Sequence, residues 1–124
     1  MTNNLTITGA RTFNDAITTA DSLTTAARII KRVSKSADYN ATVDDYLIGV
    51  DTSTIAITIT LPSASSTADQ VFEIVDETGN SSQKNITVAL QSGDTINGDD
   101  NLIINADYTA ITMYSNGITA YFLK

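Results

Sequence analysis

The chain has 124 residues, a net charge of −7, no cysteine and no histidine, so it can bury one core but has no disulfide framework, no thiolate, and none of the commonest general base and metal ligand. Ser and Thr make up about a quarter of the residues and Trp is absent, a composition that suits rigid extracellular or virion β-structure better than a catalytic pocket, although a generic β-sandwich fits it too. No apolar run approaches a membrane span, and Met1-Thr2-Asn3-Asn4 lacks the basic and apolar regions of a signal peptide, so the expectation is a soluble chain made in a cytoplasm.

In chain order, Leu5-Thr6-Ile7-Thr8 alternates like a short strand and ends at Gly9. Residues 12–25 have no clear period and suit an extended arm. Asp21 can cap a short helix over Ser22–Ile30, with Leu23, Ala26, Ala27 and Ile30 on one side and Thr24 and Thr25 weakening it. The competing reading is a strand through Arg28–Ser36; a short helix followed by a strand is favoured. Tyr39–Val43 and Tyr46–Val50 then read as strands around an Asp44-Asp45 turn.

The clearest element follows. In Ile55–Leu61, Ile55, Ile57, Ile59 and Leu61 fall on one face, and Ala56, Thr58 and Thr60 on the other, until Pro62 ends the run because it cannot donate to a ladder. Val71–Asp76 is a strand that runs into Glu77-Thr78-Gly79-Asn80, a turn sequence. Asn85–Gln91 alternates with Ile86, Val88 and Leu90 inward, residues 92–100 are a turn region containing Asn97-Gly98, and Leu102–Asn105 is a short strand. Thr109–Ser115 and Ile118–Leu123 are joined by Asn116-Gly117, the strongest hairpin signal in the chain. Strands at roughly ten-residue spacing predict an all-β fold, an antiparallel sandwich or a prism-like domain.

Charge divides the chain. Residues 1–36 carry Arg11, Arg28, Lys31, Arg32 and Lys35 against Asp15 and Asp21, a net +3, whereas residues 37–124 carry two lysines against twelve carboxylates, a net −10. The division predicts an N-terminal docking arm, 1–36, on an acidic β-domain, 37–124. The acidic body should repel nucleic acid. The arm is sparse in charge and has no interleaved aromatics, so those five basic residues are candidates for docking to protein. A solvated helix face is the competing reading of the same charges.

The string Tyr39-Asn40-Ala41-Thr42-Val43-Asp44-Asp45-Tyr46-Leu47-Ile48-Gly49-Val50-Asp51, with Ile57–Pro62, Phe72–Asn80, Asn85–Val88, Gly93–Gly98 and Ser115–Leu123, resembles a β-rich module of bacteriophage tail-fibre and other virion proteins. The elements stand in the same order over about the last two-thirds of the chain. The closing strand carries Tyr121 where that family often has a tryptophan, and only some forty residues precede the module, leaving no room for a shaft. The resemblance implies homotrimeric assembly and no enzyme activity in the module.

Several residue groups invite a chemical reading. Asp76-Glu77 and Asp44-Asp45 are adjacent pairs at turns, whereas paired catalytic carboxylates face each other across a substrate, so turn chemistry is the better reading. Asp94, Asn97, Asp99, Asp100 and Asn101 could offer oxygens to calcium, but their spacing is not that of an EF-hand, and a solvated turn is favoured. The Asn-x-Ser/Thr tripeptides at Asn40, Asn80 and Asn85 read as accidents of composition without a secretion signal, and nothing orients Lys84 toward Ser81 or Ser82 as a nucleophile pair. The expectation is therefore a non-enzymatic virion protein without a cofactor, a homotrimeric capsid decoration or cement protein that binds the major capsid protein or other virion proteins and neither nucleic acid nor membrane. A short tail-fibre or spike component is the alternative. A carbohydrate-binding module is another, with Tyr39, Tyr46, Tyr108, Tyr114 and Tyr121 as stacking faces.

Overall fold

The structure, a computed structural model, describes residues 6–12, 14, 18 and 29–124. It is all-β. Among the described residues there are ten strands: β1 Arg32–Lys35, β2 Tyr39–Asn40, β3 Leu47–Val50, β4 Ile57–Thr60, β5 Val71–Asp76, β6 Ile86–Ala89, β7 Thr95–Ile96, β8 Asn101–Ile104, β9 Ala110–Ser115 and β10 Ala120–Leu123. A 3-10 turn, Ala64–Ser66, lies between β4 and β5.

The strands form two sheets, one of six in the order β1-β3-β5-β9-β10-β7 and one of four in the order β2-β4-β6-β8. Through β6 the chain alternates between them. β1, β3 and β5 are successive parallel neighbours in the larger sheet, and β2, β4 and β6 in the smaller. The crossover that a parallel pair needs is supplied by a strand of the opposite sheet rather than by a helix. The chain then reverses: β8 is antiparallel to β6, β9 to β5 and β10 to β9, while β7 lies parallel to β10. The expected antiparallel sandwich is thus corrected to two mixed sheets. Alternation tells which side of a strand is buried but not which way its neighbour runs, and the Asp44-Asp45 turn is a corner between sheets instead of a hairpin.

One core lies between the sheets. The larger contributes Ile48, Val50, Phe72, Ile74, Met113 and Tyr121, the smaller Ile57, Ile59, Ile86, Val88 and Ile104, all buried. Each such aliphatic side chain contributes about 1.5–3 kcal/mol by leaving water. Tyr121 packs edge-on against Phe72, with ring centroids 6.1 Å apart. Its hydroxyl donates to the Pro62 carbonyl at 2.7 Å and pairs with Thr67 Oγ1 at 2.9 Å, so the one polar atom of this buried ring is satisfied. Burial pushes the Tyr121 phenol up from its ordinary value.

Element boundaries shift in several places. β4 starts at Ile57, and Ile55 is half exposed. The predicted Tyr39–Val43 strand keeps only Tyr39 and Asn40. β7 falls inside the predicted turn region. The last hairpin turns through 116–119 rather than over two residues: Asn116 N–H reaches the Ala120 carbonyl, and Asn116 Oδ1 accepts the N–H groups of Ile118, Thr119 and Ala120. Thr6, Ile7 and Thr8 are exposed and in no strand. The predicted helix lies outside the described residues except for Ile29 and Ile30, which are exposed and not helical.

Candidate functional site

Of the five basic residues, Arg28 lies outside the described residues, and the others stand in separate local surroundings. Arg11 is exposed, its guanidinium on the neighbouring Ala10 carbonyl, and Lys31 is exposed. Arg32 and Lys35 lie on β1, hydrogen-bonded beside β3, so the sheet begins inside the segment expected as an arm. Arg32 is committed to a two-pronged pair with Glu77, its Nε donating to Oε1 at 2.6 Å and its Nη2 to Oε2. Glu77 crosses β3 to reach it over Gly49, where any Cβ would collide with the carboxylate. The pair raises the Arg32 pKa and lowers that of Glu77 through the hydrogen bond. The Lys35 ammonium sits 3.7 Å from the centroid of the Tyr39 ring.

The most ordered polar site is one the sequence read as turn chemistry and no more. Asp76 closes β5 and is 1% exposed. Its Oδ1 accepts the N–H groups of Thr78 and Gly79, each at 3.1 Å, and more distantly the hydroxyls of Thr52 and Thr78. Its Oδ2 accepts the N–H groups of Asn80 at 3.1 Å, Ser81 at 3.0 Å and Tyr108 at 3.2 Å. Burial alone would raise the carboxyl pKa. The donors, led by Ser81, override burial and hold it at about 2. The carboxylate thereby ties two loops together, 77–84 and 106–109. The Asp-Glu-x-Gly-Asn string was the signal: an acid followed by a glycine able to take positive φ, as Gly79 does at 65°.

Other predicted groups resolve into local roles. Asp45 is buried, and its Oδ2 accepts the Tyr39 hydroxyl and the Thr42 N–H, each at 2.8 Å. Asp94 Oδ2 accepts Ala64 N–H at 2.8 Å, and Asn97 Oδ1 accepts Leu123 N–H at 3.1 Å, so two of the oxygens considered for calcium hold backbone instead. Among the described residues no three acidic side chains converge as a metal site would need. Lys84 donates to the Ser53 carbonyl and Ser81 to that of Ala106. No helix among the described residues is long and apolar enough to cross a membrane.

The outer faces complete the inventory. On the larger sheet, register places Val71, Tyr114 and Phe122 in one row, Leu47, Glu73 and Thr112 in the next, and Gly49, Val75 and Ala110 in a third. Tyr114 and Phe122 are 40% and 38% exposed, with ring centroids 5.7 Å apart. On the smaller sheet Thr58 lies beside Thr87 and Thr60 beside Ala89. These faces define an all-β, two-sheet protein whose larger sheet carries an outward aromatic row beside Glu73 and whose smaller sheet carries the exposed Ile103 beside Thr87. No family model and no curated protein matches the chain.

Proposed function

We propose that this is a non-enzymatic structural protein of a phage virion, a homotrimeric capsid decoration protein that stabilises the capsid lattice. The observation that carries the assembly part is the outer face of the larger sheet. A row of Val71, Tyr114 and Phe122 beside Leu47 and Val75 is an apolar surface that a lone subunit leaves in water. Its charges are Glu73 in the middle row and the Arg32–Glu77 pair over Gly49, a net of one carboxylate on a body of strongly negative net charge, so copies can meet there with little repulsion. Closed symmetry uses such a face without open-ended growth.

The virion part rests on the ordered motif resemblance and on the basic segment preceding the sheet. Arg32 and Lys35 are engaged by the body, so the docking charge falls to Arg11, Arg28 and Lys31. Fixing a chain segment on a partner costs conformational entropy, which electrostatic attraction to an acidic capsid surface offsets. The test is a pull-down on undecorated capsid particles with the full chain and with a form lacking residues 1–28, which keeps β1. The full chain should bind, more weakly as salt rises, and the truncated form should not. Equal binding by both would place docking on the body and favour a fibre component. Light scattering should give three subunits; a monomer at micromolar concentration overturns the assembly.

A further inference from the structure

Three residues other than glycine have positive φ among the described residues: Asp69 at 62°, Asn97 at 49° and Tyr108 at 57°. Asp and Asn enter the left-handed region readily, but for a bulky aromatic it is an outlier. The strain has an evident local cause, since this conformation points the Tyr108 N–H at Asp76 Oδ2. Glycine or asparagine would deliver the same N–H at lower cost. The backbone therefore accounts for the conformation and not for the ring.

Folding does not account for the ring either. Tyr108 is 71% exposed, the most exposed of the large aromatic side chains described. Its ring lies against Gly79, so closely that any Cβ there would collide with it. One side is thus supported by backbone that Asp76 holds in place, and most of the ring stays in water. Beside it Asp107 is exposed, with Oδ1 accepting the Ser82 N–H at 2.9 Å. The side chains of Ser82 and Gln83 are exposed on the same loop. The result is a rigid, strained, solvent-facing aromatic flanked by hydrogen-bonding groups.

We infer that Tyr108 is the stacking platform of a carbohydrate site that takes a neutral pyranose, with Asp107 and the Ser82–Gln83 loop receiving its hydroxyl groups. An aromatic face matches the apolar C–H face of a pyranose, and a carboxylate or amide beside it matches the equatorial hydroxyls. Other stacking partners fit less well. Nucleic acid and anionic sugars meet a body of net −10. A quaternary ammonium is held by several rings, and the two ring pairs described do not include Tyr108. The locked loops lower the ordering cost of binding, which suits the weak monovalent affinity that an assembly of several subunits multiplies.

Saturation-transfer NMR on the full chain tests this with methyl β-glucopyranoside, methyl β-galactopyranoside and N-acetylglucosamine as probes and N-acetylneuraminic acid as the anionic control. At least one neutral probe should receive saturation on its ring-face protons, and the anionic control much less. Tyr108→Phe should retain the signal. Tyr108→Gly keeps the N–H and relieves the backbone, so it should melt within a few degrees of the parent yet bind roughly tenfold more weakly. Asp107→Asn keeps an acceptor for Ser82 and should weaken binding severalfold. The site is overturned if the parent is silent to every neutral probe or if Tyr108→Gly binds like the parent. Should Tyr108→Gly fail to fold, unchanged binding by Asp107→Asn overturns it equally.

Discussion

Inward, the four-stranded sheet presents Ile57, Ile59, Ile86 and Val88, and the six-stranded sheet presents Ile48, Val50, Phe72 and Ile74. Outward they differ. The smaller sheet shows threonine and alanine with one exposed isoleucine, Ile103, and the larger shows the aromatic row of Val71, Tyr114 and Phe122. Both inner faces answer to one requirement, removal of apolar surface from water, so they converge on the same residue types. The outer faces are free of that requirement. Threonine is a sufficient solution where a strand meets water. An aromatic row is more than folding needs, and it is the feature on which the proposed self-association rests.

Crossing a single strand from inside to outside should give the largest effect. Ile57→Asp places a charge at a site 1% exposed among apolar partners, at a cost of several kcal/mol, about enough to unfold a domain of this size. Thr58→Asp, the next residue on the outer face, should lower the melting temperature far less. Equal melting of the two variants by circular dichroism would break the assignment of faces.

The second effect belongs to the end of the larger sheet. Asp76→Ala leaves five buried or half-buried N–H groups without their acceptor and should cost at least about 3 kcal/mol in urea unfolding. Titration reads the same site. The folded carboxyl is held at about 2, below its ordinary 3.8, so its contribution is fully present above pH 4 and is lost as pH falls from there toward 2. The loss attributable to this group is roughly 1–2 kcal/mol, and the Asp76→Ala variant should lack that part of the acid slope.

How much of this the sequence carried follows from what each pattern encodes. Period-two alternation named the buried residues of β4 and β6, Ile57, Ile59, Ile86 and Val88, because burial is a property of one strand and its own side chains. Strand direction is a property of pairs. The partner of β3 in the larger sheet is β5, with a strand of the other sheet between them in the chain, and no local signal reports that. The Asp76 site was half legible: a turn was visible at Gly79-Asn80, but the fifth N–H donor, that of Tyr108, arrives from another loop. The basic residues were legible as charge and not as geometry. A strand through Arg32 was among the readings, but its pairing with Glu77 over Gly49 had no local signal.

A smaller effect on stability, but a clear one on mass, should come from the outer faces. Tyr114→Asp puts a charge in the centre of the aromatic row at a position already 40% exposed, so the single body should stay folded while assembly fails. Thr87→Asp on the smaller sheet should change neither folding nor mass. Light scattering of both variants at one concentration sharpens the contrast between the sheets, and loss of assembly from the threonine face would reverse it.

The smallest effect should be that of Arg32→Ala. The guanidinium is exposed, and its pair with Glu77, although two-pronged, is screened by solvent and salt. Melting should therefore move little. The variant is informative because Arg32 stands at the border of the basic segment and the sheet. If docking depended on total positive charge, Arg32→Ala and Lys31→Ala would weaken capsid binding alike. Arg32 has its Nε and one Nη2 N–H committed to Glu77, which neutralises its charge, whereas the Lys31 side chain is exposed and stands before the first strand. Lys31→Ala should weaken binding and steepen no melt, and Arg32→Ala should leave binding close to that of the parent. The reverse order would show that the edge of the larger sheet, and not the segment before it, meets the partner.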